Sequence, residues 1–250
     1  MDSKSNRALY LQVEADIRND IMQKKYLPGE KLPTETEMCK IYNVSKITIR
    51  KAFELLTKNG LVERSRGRGT FVKLNKEKVS LGATQGFNQF LEKTGHSIKN
   101  NILSTKLTKA DPFLAEKLQI QLEAPVINIQ RLMWDDEVPI ATDSFFAAAE
   151  NYPGLLDEIN SFGSLYDLLE KKYKVTAYRS KIEFSGIIAK PELADLLHCY
   201  TGDPLFVLDK LSYTKNDEVI HFSTSTIRCD RVNYVINVSG QGKINGIELG

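Results

Sequence analysis

The 250-residue chain predicts an α+β protein in two parts: a small three-helix head closed by a β-hairpin, and a larger α+β body around a mainly antiparallel sheet. Three observations carry this. Apolar residues recur at helical spacing three times before residue 60, then run through two short strand-like stretches. Beyond residue 120, two longer strand–turn–strand patterns follow one another. Charge divides at the same boundary: residues 1–76 hold 16 Lys and Arg against 9 Asp and Glu, net +7, and the other 174 hold 18 against 23, net −5. A basic head on an acidic body points to nucleic-acid contact by the head. The length suffices for two separate cores.

In the head, Leu9, Val13, Ile17 and Ile21 recur every four residues and predict a first helix over about 7–25. Pro28-Gly29 turns the chain. Thr34 and Glu37 form a capping box that starts a second helix with Met38, Ile41 and Tyr42 on its apolar side. After Asn43-Val44, Ser45 caps a third helix. Ile49, Ala52, Phe53 and Leu56 follow its inward stripe, which leaves Lys46, Ile47, Arg50 and Lys51 outward and Thr48 at the edge. Gly60 lies just past the end, where a left-handed residue is favoured. Leu61–Arg64 and Thr70–Val72 are strands joined by the Ser65–Gly69 tip. A helix start bearing hydroxyls and cations suits the DNA major groove, and a basic hairpin beside it suits the neighbouring backbone. This is the pattern of a winged helix-turn-helix.

Composition excludes several other classes. Hydrophobic content of 42% and charged content of 26% are ordinary for a soluble globular chain. No apolar run approaches the roughly 20 residues that a membrane span needs, and no signal-peptide pattern opens the chain. The expectation is therefore a cytoplasmic protein with no membrane partner. Cys39, Cys199 and Cys229 sit in no ligand or disulfide spacing and read as reduced thiols. No glycine-rich phosphate loop, GxSxG or metal-ligand spacing is present, and none of His96, His198 and His221 lies in a catalytic motif. No catalytic residue, metal or cofactor is expected.

In the body, Lys73–Leu81 reads as a polar linker, so the expected divisions are a DNA-binding domain over 1–73, a linker over 74–81, a second domain over 82–240 (to which the family resemblance given below assigns effector binding and dimerisation), and a disordered tail over 241–250. A helix is expected over Gln85–Lys93. Val126–Trp134 and Val138–Phe146 form one hairpin, and Phe206–Thr214 and Val219–Cys229 a second. The two are related. Ala110-Asp111-Pro112 matches Ala189-Lys190-Pro191, and Ala124-Pro125-Val126 matches Asp203-Pro204-Leu205, both 79 residues apart. With a two-residue insertion at the second turn, Arg131 aligns with Lys210, Asp143 with Thr224 and Ser144 with Ser225. A duplicated unit of this kind predicts a sheet with a pseudo-twofold and a cleft lined from both halves.

The head motifs Pro28–Glu35, Val44–Ala52, Asn59–Val62 and Gly67–Val72 resemble the GntR family of bacterial transcription regulators. The body motifs Arg131–Ser144, Gly163–Glu170, Gly202–Leu205 and Arg228–Arg231 are similar to the HutC-type effector domain (UTRA), which has a chorismate lyase-like fold. The resemblance implies a regulator, in the usual case a repressor of a metabolic operon. Its partners would be double-stranded operator DNA, a second copy of the chain and a small effector such as a sugar phosphate. A regulator whose body only dimerises, or a lyase-like enzyme, are the alternatives. By the same resemblance Glu35, Thr36, Ser45, Lys46, Ile47, Thr48, Arg50, Arg66, Gly67, Arg68 and Gly69 contact DNA. Lys46 replaces a common arginine and offers a point charge instead of a bidentate fork.

Effector contacts carried over from sugar-phosphate-binding members fall on Gln85, Gly86, Phe87, Arg131, Met133, Asp143, Ser164, Tyr166, His221, Ser225 and Ile227. Arg131, Ser164 and Tyr166 suit an anion and Asp143 a hydroxyl. The departures are Met133 for an arginine, His221 for a glutamate, Ile227 for a tyrosine and Gln85-Gly86 for a hydroxyl pair. They imply a ligand with less charge or more apolar surface.

Overall fold

The computed structural model describes residues 8–73, 77–80, 98–135, 137–159 and 165–235. The expected helix over Gln85–Lys93 and the tail over 241–250 lie outside these residues. The chain divides into two units, Met1–Lys76 and Glu77–Gly250.

The first unit has α1 (Leu9–Met22), α2 (Glu35–Tyr42), α3 (Lys46–Lys58) and an antiparallel hairpin of β1 (Val62–Ser65) and β2 (Gly69–Val72). The α1 helix ends before the apolar pattern suggests. Lys24 takes a left-handed φ of 61°, and the Lys25 amide turns back to the Asp20 carbonyl at 2.9 Å. The capping box forms as read: the Thr34 amide donates to Glu37 Oε2 at 2.7 Å and the Glu37 amide donates to Thr34 Oγ1 at 3.3 Å. The Thr34 amide, and then its hydroxyl donating at 2.8 Å, hold the Glu37 carboxyl below its ordinary range. Gly60 takes φ 62° just beyond α3, and the Leu61 amide closes on the Leu56 carbonyl at 2.9 Å. Val13, Ile17, Met38, Ile49, Phe53, Leu56 and Val72 meet in one core. The segment after Pro28-Gly29 is more than a turn: Leu32 donates to the Thr70 carbonyl at 2.9 Å and Lys31 bridges Phe71, adding a third edge to the hairpin.

The second unit is built on six antiparallel strands: β4 (Ile98–Lys109), β5 (Pro125–Asp135), β6 (Val138–Ala148), β7 (Arg179–Ile188), β8 (Pro204–Tyr213) and β9 (Val219–Arg228). Their order, β4-β5-β6-β9-β8-β7, is symmetric about the central β6–β9 pair. Each half is strand, helix, hairpin. In the first half α4 (Pro112–Leu118) precedes β5, and in the second α7 (Pro191–Leu196) precedes β8. The duplication reaches the backbone. Left-handed Gln119 and Glu123 recur 79 residues on as His198 and Gly202. The pair of bonds between Ala110 and the 123–124 amide and carbonyl recurs between Ala189 and 202–203.

The strand register corrects the insertion inferred from the sequence. Arg131 pairs with Asp143, and Lys210 pairs with Ser223. Asp143 is therefore equivalent to Ser223, not Thr224, and the second turn is longer by one residue. Each hairpin has one extra residue in its second strand: Ile140 between Pro139 and Ala141, Ile220 between Val219 and His221. Such bulges keep side chains on their proper faces while changing the local count. An alignment of turn residues alone overlooks that constraint.

The α4 and α7 helices cover one face of the sheet, packing on Val126, Phe222, Leu132 and Leu205. On the other face, α5 (Leu155–Glu158) and α6 (Leu165–Tyr173) pack over Ile127, Ile129, Phe145 and Ala147. At the opposite end of that face, Met133, Ala141 and Ile227 meet Val232. Arg228, 2% exposed, ties β9 to the end of α7 by donating to the Leu197 carbonyl at 3.0 Å and to Asp230 at 2.7 and 2.9 Å.

The expected linker over 74–81 also needs correction. Within it, β3 (Glu77–Ser80) pairs in parallel with β10 (Val232–Val235) and belongs to the second unit. Four residues with two charges carry no strand signal of their own. The partner strand more than 150 residues away supplies it.

Candidate DNA-binding surface and effector site

At the start of α3, Ser45 Oγ accepts the Thr48 amide at 3.3 Å and lies 2.9 Å from Thr48 Oγ1. Burying Ile49, Ala52, Phe53 and Leu56 leaves Lys46, Ile47, Arg50 and Lys51 outside, with Thr48 half-buried. Ile47 is 69% exposed, more than any other large apolar side chain among the described residues. An apolar group there suits a thymine methyl. Arg50 Nε donates to Glu35 Oε2 at 2.9 Å, and the other Glu35 oxygen lies 3.6 Å from Arg64 Nη2. Glu35 thus gathers two cations from α3 and β1, beside exposed Thr36.

The hairpin tip needs its glycines. Gly67 has φ 75° and Gly69 φ 121°, and a Cβ on Gly69 would stand 2.6 Å from Lys31 Cε. Arg66 and Arg68 are exposed on either side of Gly67. A groove of about 430 Å³ runs between this tip and the start of α2, lined by Lys31, Thr34, Glu35, Arg64 and Arg66. Helix start, groove and tip give one unit a surface of hydroxyls and cations, the chemistry that phosphates and guanine edges require.

In the body, the predicted polar residues converge on the sheet face under α6. Arg131 and Asp143 stand directly opposite on β5 and β6, and Arg131 Nη2 donates to Asp143 Oδ2. Ser225, opposite Asp143 on β9, donates to its other oxygen at 2.8 Å. Next to this row the Tyr166 hydroxyl meets His221 Nε2 at 2.8 Å. His221 is 1% exposed. Burial, then the charges of Lys210 and Arg131, push its pKa down to about 3, so the imidazole is neutral. His221 Nδ1 and Arg131 Nε have no well-formed hydrogen bond among the described residues. Met133 and Ile227 lie on the same face, two residues along from Arg131 and Ser225, but both are buried in the apolar cluster with Val232. Gln85, Gly86, Phe87 and Ser164 lie outside the described residues. No group of His, Cys, Asp and Glu among the described residues could hold a metal, and no described helix is long and apolar enough to cross a membrane.

The surface on the first unit falls within a match, over residues 9–72, to the gntR family of bacterial regulatory proteins. The polar face of the second falls within a match to the UTRA domain over residues 93–233. The chain belongs to the gntR family. It is a DNA-binding transcription regulator carrying a UTRA domain. It is 37% identical to the HTH-type transcriptional regulator YurK of Bacillus subtilis strain 168, over 95% of this chain and 98% of that one. It is 34% identical to the probable fructoselysine utilization operon transcriptional repressor of Escherichia coli strain K12, over 94% of this chain and 97% of that one. Among solved structures, PhnF from Mycobacterium smegmatis matches with a TM-score of 0.65 at 26% identity, covering 91% of this chain and 99% of that one.

Two residues of this GntR-family chain join the surfaces without having been singled out as contacts. Arg64 reaches Glu35 from β1, and only its place in a basic stretch hinted at it. Lys210 stands 5.2 Å from the Tyr166 ring centre. Its alignment with Arg131 was the available signal.

Proposed function

We propose that this regulator is a repressor of a metabolic operon, binding its operator as a homodimer and releasing it when a small polar metabolite occupies the Arg131–Asp143–Ser225 face. The α3 start reads base edges through Arg50 and Ile47. Lys46, Thr48, Ser45 and Thr36 hold the backbone, and the tip from Arg66 to Gly69 holds the flanking groove. Two heads are required because one winged helix covers too little DNA for tight specific binding. In the body, Arg131 offers its spare Nε to an acceptor on the ligand, and Asp143 and Tyr166 orient its hydroxyls or amines. Met133 and Ile227 make one end apolar. The relative named for fructoselysine utilization supports a carbohydrate-derived effector bearing polar groups at more than one point.

One observation carries the effector reading: four side chains from three strands and a helix, Arg131, Asp143, Ser225 and Tyr166, with buried His221, converge on one sheet face. The test is operator affinity of the full chain on its own promoter DNA, with and without phosphorylated sugars and glycated amino acids. Arg131→Gln is the variant of choice because it removes the fork while leaving a donor for buried Asp143. The wild type should lose about 5–150-fold in operator affinity with effector, the span of ordinary allosteric coupling. Arg131→Gln should bind operator normally and not be released. Release of this variant at wild-type effector concentration would remove Arg131 from the site.

A further inference from the structure

The β10 strand makes two sets of contacts. Its Val232, 1% exposed, packs on the sheet with Met133, Ala141 and Ile227, and Tyr234 packs beside it. Tyr234 also meets Phe184 and Phe206 edge-on, at ring-centre distances of 5.2 and 5.7 Å. The same strand pairs residue by residue with β3, from Val232 against Glu77 to Val235 against Ser80. Among the described residues β10 is the only strand that β3 pairs with. A two-stranded ribbon is marginal by itself, so β3 is held in place by what holds β10.

The seat of β10 lies on the effector face. Met133 follows Arg131 on β5 and Ile227 follows Ser225 on β9, each two residues on. Alternate residues of a strand share a face about 7 Å apart. A ligand group that shifts the Arg131–Asp143–Ser225 row therefore acts one pleat from the surface under Val232. In the other direction the ribbon leads to the head. The Lys73 amide donates to the Leu61 carbonyl at 2.9 Å, so the head holds the chain as far as Lys73, and β3 begins at Glu77. The three residues between them span at most about 14 Å, which limits how far β3 can move without the head. The docking of β10 is also opposed from within. Tyr234 Oη is buried with no hydrogen-bond partner among the described residues. Burial, then the neighbouring Cys229, push its pKa up, so it stays a neutral hydroxyl. A buried hydroxyl without a partner disfavours the docked position that the apolar contacts favour.

We propose that the β3–β10 ribbon is the regulatory strap of this protein: the docking of Val232 and Tyr234 on the Met133–Ile227 end of the effector face sets the operator affinity of the head. The inference rests on the effector reading of that face and names the element through which the face acts. It also gives Met133 and Ile227 a role other than ligand contact, since they seat β10.

The test uses operator DNA and no metabolite. Hydrogen exchange of the full wild-type chain, with and without a duplex of its own promoter, should show altered protection of the amides of 77–80 and 232–235 on binding. Two variants then push the docking in opposite directions. Tyr234→Phe keeps the ring and removes the unpartnered hydroxyl, so it favours docking. Val232→Ala removes apolar contact and disfavours it. Their operator affinities should fall on opposite sides of wild type and differ by at least about fivefold, the lower end of ordinary allosteric coupling. A short glycine run inserted after Leu74 should bring the two variants back to a common affinity. Leu118→Ala, a like truncation under α4, should leave operator affinity close to wild type, and a shift as large as that of Val232→Ala would overturn the proposal as general loosening of the body. Unchanged protection in the wild type, or equal affinities for Tyr234→Phe and Val232→Ala, would overturn it too and leave the effector face standing. If the two affinities split while no metabolite releases the operator, the strap stands and the effector reading fails.

Discussion

Arg50 in the head and Arg131 in the body each meet a carboxylate, but in opposite settings. The Arg50 and Glu35 side chains are 56% and 24% exposed; those of Arg131 and Asp143 are 11% and 5%. An exposed pair contributes about 0–1 kcal/mol and exchanges partners readily. Glu35 can therefore hold Arg50 in place and surrender it to a guanine or phosphate at little cost. The buried pair has no such freedom, because an unpartnered charge on that face is strongly unfavourable. On the proposed reading, the head gives up its exposed ion pairs to DNA. The body keeps its pair, and on the proposed reading adds ligand groups around it.

The largest effect should come from breaking the buried pair from the acidic side. Asp143→Ala leaves the Arg131 guanidinium without its main acceptor and strips Ser225 of its partner, and should cost the body about 3–5 kcal/mol. Glu35→Ala, its counterpart in the head, should cost no more than about 1 kcal/mol. Denaturant titration of both variants, read by near-UV absorption of the body's single tryptophan, Trp134, and by helical signal, makes the comparison. Similar losses would mean that exposure does not separate the two pairs.

A second effect follows from His221. Its folded pKa of about 3 lies below the ordinary 6.5, so the native body binds fewer protons than the unfolded chain at mildly acidic pH. Its contribution is fully present above about pH 6.5 and is lost progressively as pH falls towards 3, at up to about 1.4 kcal/mol per pH unit. Stability of wild type and His221→Gln should be compared between pH 7 and 5. The variant should show the flatter profile, and parallel profiles would place the imidazole in contact with water.

Much of the head was legible because its determinants are local. Thr34 with Glu37, Ser45 with Thr48 and Gly60 beyond α3 are signals within a few residues of the structure they produce. The body's strands and repeat were legible for the same reason, since each hairpin carries its own turn. What escaped was set by distant partners. The β3 strand exists through β10, the 29–32 segment joins the hairpin through Thr70 and Val72, and the one-residue difference between the halves lies in the second turn, where only the strand register on either side reveals it. Site residues divide likewise. Arg131, Asp143 and Ser225 were reachable through the family pattern, and the structure brings them into contact. Met133 and Ile227 share their face and pack among apolar neighbours, a setting that their motif positions do not reveal.

The smallest effects concern the head, where the comparison becomes a contrast between two cations one helical turn apart. Arg50 has a planar fork preset by Glu35, the arrangement that reads a guanine edge through two parallel bonds. Lys46 stands at the exposed first turn of α3 with a flexible point charge, suited to a phosphate. Arg50→Ala should therefore weaken operator binding by about 1–3 kcal/mol and leave random DNA much less affected. Lys46→Ala should weaken both alike and reduce the slope of log affinity against log salt by about one unit. Fluorescence anisotropy on operator and scrambled duplexes across a salt series separates the outcomes. If Arg50→Ala lowers operator and scrambled affinities equally, its pairing with Glu35 does not serve base reading, and Arg50 is one more phosphate contact on an exposed cationic face.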